Sequence, residues 1–201
     1  MNTRNTDIKD RVRSKYDQIA NQSKEQNQSS CCGGTDCCND IEYSVFSDDY
    51  SEIQGYNEDA DLGLGCGIPS DFANLQQGET VLDLGAGAGN DCFVARSFVG
   101  EGGFVYGIDF SEEMLKKARN NAEKLGYTNV GFIQGDIENM PIESNTIDTI
   151  LSNCVLNLVP EKEIAFKEVF RVLKPSGGFC ISDVVTSGAL PEAILKDAEM
   201  Y

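Results

Sequence analysis

The segment from Glu79 to Asp91, Glu-Thr-Val-Leu-Asp-Leu-Gly-Ala-Gly-Ala-Gly-Asn-Asp, constrains the fold more than any other part of the chain. Val81, Leu82 and Leu84 suit a buried central strand, and the run breaks abruptly into alternating glycines. Gly85, Gly87 and Gly89 allow positive φ and let the backbone approach a bound molecule with no Cβ in between. A helix is predicted from about Asn90, its free N–H groups facing the same crevice. A dinucleotide fingerprint is spaced G-x-G-x-x-G, whereas these glycines alternate as G-x-G-x-G behind an acid, Asp83. The segment therefore reads as a ligand-holding strand exit, set against the plainer reading of a tight turn.

Downstream the pattern alternates. A second strand is predicted over Phe104 to Ile108, ending at Asp109, where an acid can hold the two hydroxyls of a nucleotide ribose. Ser111 then caps a helix whose Met114, Leu115, Ala118, Ala122 and Leu125 share one face, and Gly126 ends it. Strands follow over Val130 to Gln134 and Ile147 to Leu151. A helix is predicted from about Glu161 to Leu173, a strand from Phe179 to Val185 and a further helix from Pro191 to Tyr201. The order β-α-β-α-β-β-α-β predicts an α/β, Rossmann-like fold, a mostly parallel sheet with helices on both faces. Ligands on such sheets lie at the carboxyl ends of the strands. Gly85, Asp109, Asp136, Asn153 and Cys154 converge on that rim, with Asp136 placed to accept from an adenine amine.

Upstream, Ile8, Val12, Tyr16, Ile19 and Ala20 recur at helical spacing, which predicts an amphipathic helix from about Asp7 to Ala20 packed on the main domain. A polar, aperiodic linker over 21–30 leads to Cys31-Cys32-Gly33-Gly34-Thr35-Asp36-Cys37-Cys38. Three readings compete for these exposed thiols, capture of a soft thiophilic ion, a redox relay, or an incidental tail, and a four-cysteine zinc site is a weaker fourth because such sites use C-x-x-C spacing. Cys66 stands between two glycines ahead of Pro69 on a breaker-rich loop, so its thiol is either presented to a site or packed as a small hydrophobe. Cys92 lies on an apolar helix face and reads as core.

Composition narrows the chemistry. Sixteen Lys+Arg against 33 Asp+Glu give a formal charge of -17, which repels phosphate backbones and anionic bilayers, so neither nucleic acid nor a membrane is expected as partner. No apolar leader or span is present in the sequence, and a cytoplasmic location is the default expectation. Eight cysteines in such a chain suit metal, metalloid or redox work better than a disulfide frame. The absence of histidine removes the usual general base and every Cys-His pair.

These residues together resemble the arsenite methyltransferases, class I S-adenosylmethionine-dependent enzymes. The resemblance runs from Tyr50 to Tyr201. It is carried by Asp-Leu-Gly-Leu-Gly-Cys-Gly at 61–67, Val-Leu-Asp-Leu-Gly-Ala-Gly-Ala-Gly at 81–89, Gly-Ile-Asp at 107–109 and Ser-Asn-Cys-Val-Leu-Asn-Leu at 152–158. It implies that Cys66 and Cys154 are ligands of arsenic(III), free or as a thiol conjugate, and that Cys31 or Cys32 serves as a disulfide relay partner. It implies S-adenosylmethionine as cofactor. Gly85, Gly87 and Gly89 would cradle its methionine part, with Asp83 supporting the turn or the sulfonium side; Asp109 would hold the ribose hydroxyls, and Phe110 belongs to the same cofactor set. Asp136, Ile137 and Met114 would meet the adenine, and Asn153 belongs to the same cofactor set. A thiol reductant, glutathione or thioredoxin-like, is the implied partner.

The expected organisation is an N-terminal helix and Cys-rich linker over 1–40, a substrate segment over 41–78 and the cofactor core over 79–201. The family's sheet has seven strands and its third arsenic thiol lies past a helix resembling Ala198-Glu199-Met200-Tyr201. The chain is therefore expected to be C-terminally truncated, with its own turnover left open. Two other readings remain: a methyltransferase acting on carbon or oxygen of a quinone-like molecule, and a non-enzymatic thiol protein that binds metalloid.

Overall fold

A computed structural model describes residues 3–22, 49–185 and 188. Its centre is a five-stranded, wholly parallel sheet in the order β3-β2-β1-β4-β5. The strands are β1 (Thr80–Leu84), β2 (Phe104–Asp109), β3 (Val130–Gln134), β4 (Ile147–Asn153) and β5 (Leu173–Ser182). The helices are α1 (Thr3–Ile19), α2 (Pro69–Phe72), α3 (Asn90–Val99), α4 (Glu112–Lys124) and α5 (Lys162–Val172). Right-handed crossovers that run leftward from β1 through β2 to β3 put α3 and α4 on one face, and the rightward step from β4 to β5 puts α5 on the other.

The pleat of β1 shows why this sequence accepts that arrangement. Leu82 and Leu84 point toward α5 and pack with Ile150, Ala165, Val169 and Val172. Val81 points the other way, toward Cys92, Ala95 and Val99 of α3. Both sets are almost fully buried, as the continuous apolar run of β1 requires when each face is covered. On α4 the apolar stripe packs with Phe93, whose ring meets Tyr127 and Phe132 edge-on at centroid distances of 5.8 and 6.1 Å. Tyr16 and Ile19 of α1 join this cluster, as the amphipathic spacing predicts.

The sheet is that expected from the sequence, with three differences at its right-hand side. β4 continues to Asn153, two residues past the predicted end, because Ser152 pairs with Leu84 and Asn153 with Ser182. β5 begins at Leu173 and not at Phe179. Lys174 to Gly177 look like a loop in isolation, but Ile147 pairs with Leu173 and Thr149 with Gly178, so the intervening residues form a bulge. Pro175 and the left-handed Ser176, at φ 71°, are tolerated there and not in a regular central ladder. β5 then ends at Ser182, short of Val185. The predicted helix over Pro191 to Tyr201, Cys31, Cys32, Cys37, Cys38 and most of the polar linker lie outside the described residues. Among the described residues no helix is long and apolar enough to cross a membrane.

Candidate functional site

A crevice opens above the carboxyl ends of β1, β2 and β4, roofed by α1. The glycine turn forms its floor. Gly85 takes φ 70° while its N–H donates to the Ile108 carbonyl at 2.8 Å. A Cβ there would sit 2.3 Å from Val155, so close packing as well as φ demands glycine. Gly87, at φ 51°, would carry its Cβ into open space within the crevice, where no protein atom lies within 4 Å. That is the bare backbone surface a closely approaching ligand needs.

Asp109 ties the floor to the second strand. One carboxylate oxygen accepts from Gly87 N–H at 2.9 Å and the other from Ser111 N–H at 2.8 Å. Burial pushes its carboxyl up, and those backbone donors pull it partly back. Asp109 borders the crevice, and a carboxylate oxygen that accepts one N–H retains acceptor capacity, the chemistry that binds vicinal hydroxyls. Phe110, Met114, Asp136, Ile137, Asn153 and Cys154 also border the crevice. The residues present therefore fit a nucleoside-bearing cofactor: a Cβ-free cradle, an acid at the strand tip, and apolar Met114 and Ile137 for a ring.

Two expected cofactor residues, Gly89 and Asp83, do not border the crevice themselves. Gly89, at φ 96°, is the cap residue of α3, and a Cβ there would run into Phe93 and Phe132. Its role is helix-to-sheet packing. Asp83 is 2% exposed and lies beneath the turn on the α3 side, accepting from the Cys92 thiol at 3.3 Å. The alternation of β1 dictates this, since Asp83 must share the face of Val81. Asp136 stays at the crevice wall, but its carboxylate is already taken by Lys9 of α1 at 2.6 Å and by Glu138 N–H at 2.9 Å. Lys9 also bonds Glu138.

Asp83 and Asp109 are buried at the glycine turn and Asp91 is half-buried beside them. Burial raises all three, and Asp91 adds its charge to Asp83. The folded chain then holds more protons than the unfolded one between the ordinary carboxylate pKa and the raised values, so stability falls as pH rises through that window. Thermal melts are expected to show a lower Tm at about pH 8 than at about pH 5, with Asp83→Asn shrinking the difference. An unchanged difference in the variant would contradict this account of Asp83.

A hydrogen-bonded hub links the crevice to the Cys66 loop. The Asn153 amide N–H groups reach the Tyr50 hydroxyl at 2.8 Å, the Gly67 carbonyl at 2.8 Å and Asp91 at 3.0 Å. Its carbonyl accepts from Cys66 N–H at 3.0 Å. Tyr50, 5% exposed, lies within donating distance of both Asp91 and the Gly67 carbonyl, at 2.7 Å each. Burial, followed by the charge of Asp91, keeps that phenol protonated. Sequence reasoning placed Asn153 at the rim but missed Tyr50 and Asp91 as its partners. The visible signal was an acid in the first turn of α3, directly after the glycines. Asn153→Ala strands several buried polar groups and is expected to cost about 2–4 kcal/mol in denaturant unfolding. A loss under about 0.5 kcal/mol would show that the hub does not fix the loop.

Cys66 and Cys154 are joined as a disulfide, with Cα atoms 5.9 Å apart. Cys154 borders the crevice and takes φ 54°, and its N–H donates to the Ser182 carbonyl at 2.8 Å. The two cysteines, 88 residues apart in sequence, thus meet where Cys154 borders the crevice. In this oxidised form neither is a thiolate. Cys92 is fully buried and free, as expected of a core residue, and Cys180 is free and half-buried.

A family model described as a methyltransferase domain matches residues 75–201. The chain is 43% identical over 184 residues to the arsenite methyltransferase of Halobacterium salinarum, covering 83% of this chain and 47% of that protein. It therefore spans about half the length of that curated relative. Among solved structures, an arsenic(III) S-adenosylmethionine methyltransferase from Chlamydomonas reinhardtii is 41% identical with a TM-score of 0.58, covering 65% of this chain and 46% of that one. A SAM-dependent methyltransferase from Aquifex aeolicus is 31% identical with a TM-score of 0.57, covering 71% of this chain and 75% of that one. The chain belongs to the S-adenosylmethionine-dependent methyltransferases.

Proposed function

We propose that the protein methylates trivalent arsenic held by the thiolates of Cys66 and Cys154, beside S-adenosylmethionine bound on the glycine turn. The observation that carries the reading is that Cys154, joined to Cys66, borders the crevice that Gly85, Gly87 and Asp109 line. Bound S-adenosylmethionine supplies an electrophilic sulfonium methyl. Gly85 and Gly87 would hold its methionine part, Asp109 its ribose, and Met114 with Ile137 its adenine. α1 roofs the crevice, and its Val12 and Tyr16 line it, which keeps water out of a reaction that needs alignment more than proton transfer. No histidine is needed for this chemistry.

Soft thiolates select arsenic(III) over hard ions, and two of them fixed by the Asn153 hub and the Ser182 backbone orient it. Reduction of methylated, pentavalent arsenic back to the trivalent state takes two electrons. Two thiols joining as a disulfide release two electrons and two protons, and the Cys66–Cys154 bond has the form such a step would leave. A thiol reductant of the glutathione or thioredoxin class would then reopen it, with Cys31 or Cys32 as relay. The activity would serve arsenic detoxification in the cytoplasm.

The test is release of S-adenosylhomocysteine by the reduced protein with and without arsenite. Arsenite-stimulated release is the expected result. Equal release without arsenite, or release stimulated instead by a quinone-like acceptor, would assign the methyl group elsewhere.

A further inference from the structure

We infer that the reduced protein carries a divalent-cation site built from Cys66, Cys154 and Asp183, which takes an ion of the zinc or cadmium class in competition with arsenic(III). The inference deepens the proposed arsenic site and rests on that reading for the competition alone. Its starting point is a third donor that the methyl-transfer chemistry does not use. One oxygen of Asp183 and the sulfurs of Cys66 and Cys154 all lie within 4.8 Å of one another, each half-buried.

The fold holds these three donors in place from three segments. Asn153 and Ser182 are register partners on adjacent parallel strands, so Cys154 and Asp183 leave β4 and β5 side by side. Cys154 N–H is bonded to the Ser182 carbonyl. The Asp183 carboxylate is fixed by Asn157 N–H at 3.0 Å and by Val184 N–H at 2.9 Å. The Cys66 backbone is held by Asn153.

The donor set chooses the ion. Two thiolates and a carboxylate form a three-ligand site with a fourth position left for water, the arrangement of open zinc sites. Arsenic(III) is satisfied by soft thiolates and gains little from a hard carboxylate oxygen. A borderline-soft dication gains from all three anionic ligands, so Asp183 favours the dication over the metalloid. A dithiol must first reduce the Cys66–Cys154 bond, leaving two thiols and a cyclic disulfide of the reductant. Metal binding then releases the two thiol protons. The bound ion would exclude arsenic and keep the two thiolates from closing again.

The experiment uses the full chain with Cys31, Cys32, Cys37 and Cys38 replaced by Ser, reduced with dithiothreitol, freed of it without air, and titrated with Cd2+. Thiolate-to-cadmium absorption is expected to rise to a stoichiometric end point and to fall when arsenite is added. Asp183→Asn is expected to weaken Cd2+ by at least about tenfold while arsenite retention stays unchanged. Equal Cd2+ affinity in Asp183→Asn would overturn the site. Cadmium NMR of the protein with Asp183 intact gives a second readout should that variant fail to fold. A resonance of mixed sulfur and oxygen ligation supports the site, and one of all-sulfur ligation overturns it. Should Cys66→Ser and Cys154→Ser lose cadmium but keep arsenite, the arsenic reading fails and the cation site stands.

Discussion

Cys154→Ser is expected to cut arsenic(III) retention by the reduced protein by about a hundredfold or more, and arsenite-dependent methyl transfer with it, while S-adenosylmethionine affinity is unchanged. The hydroxyl of serine is a hard, uncharged donor where a soft thiolate is needed. The change is also conservative for the backbone, because Ser accepts the left-handed φ of 54° as readily as Cys does. Retained arsenic in the variant, measured by elemental analysis after gel filtration, would contradict the liganding role. The measurement is informative because Cys154 sits on the crevice wall while Asn153, one residue earlier, carries the hub. A loss confined to arsenic separates the thiol from the scaffold.

Asp109→Ala is expected to produce the reciprocal pattern: S-adenosylmethionine affinity falls about a hundredfold or more, and arsenic retention persists. Asp109 acts twice in the account. It would bind the ribose, and its oxygens already accept from Gly87 and Ser111 N–H groups. Removing the carboxylate leaves two backbone donors without a partner, and charge-assisted bonds of this kind contribute about 1.5–3 kcal/mol each. Loss of a buried charge whose carboxyl burial pushes up offsets part of that cost in stability. Binding, which has no such offset, carries the larger effect. Titration calorimetry giving unchanged affinity would remove Asp109 from the cofactor site.

The parts of the molecule that sequence exposes are those fixed by local rules. The β1 run must be buried on both faces, the glycines must break it, and Ser111 must cap α4; Ser111 Oγ indeed accepts from Met114 N–H at 3.2 Å. Rim positions follow from strand ends, which is why Gly85, Gly87, Asp109 and Cys154 were legible. The pleat of β1 puts Asp83 beneath the turn, the supporting one of the two positions expected for it. Other features depend on distant partners. Tyr50 meets Asp91 across 41 residues and Cys66 N–H meets Asn153 across 87, neither of which spacing reveals. Lys9 of α1 claims Asp136, an acid that by position alone looked free for an adenine. The start of β5 was hidden because a bulge containing Pro175 has the composition of a loop and is recognisable only against β4. Asp183 carried no signal at all until β5 was laid beside Cys154.

Arsenic K-edge X-ray absorption on the reduced protein, loaded with arsenite in the presence of S-adenosylhomocysteine and with Cys31, Cys32, Cys37 and Cys38 replaced by Ser, tests the central claim most directly. The account predicts at least two sulfur neighbours on arsenic in the parent, and in Cys66→Ser and Cys154→Ser only the weakly held arsenic of an excess loading, with one sulfur neighbour fewer. Sulfur coordination identical in the parent and in both variants would contradict it.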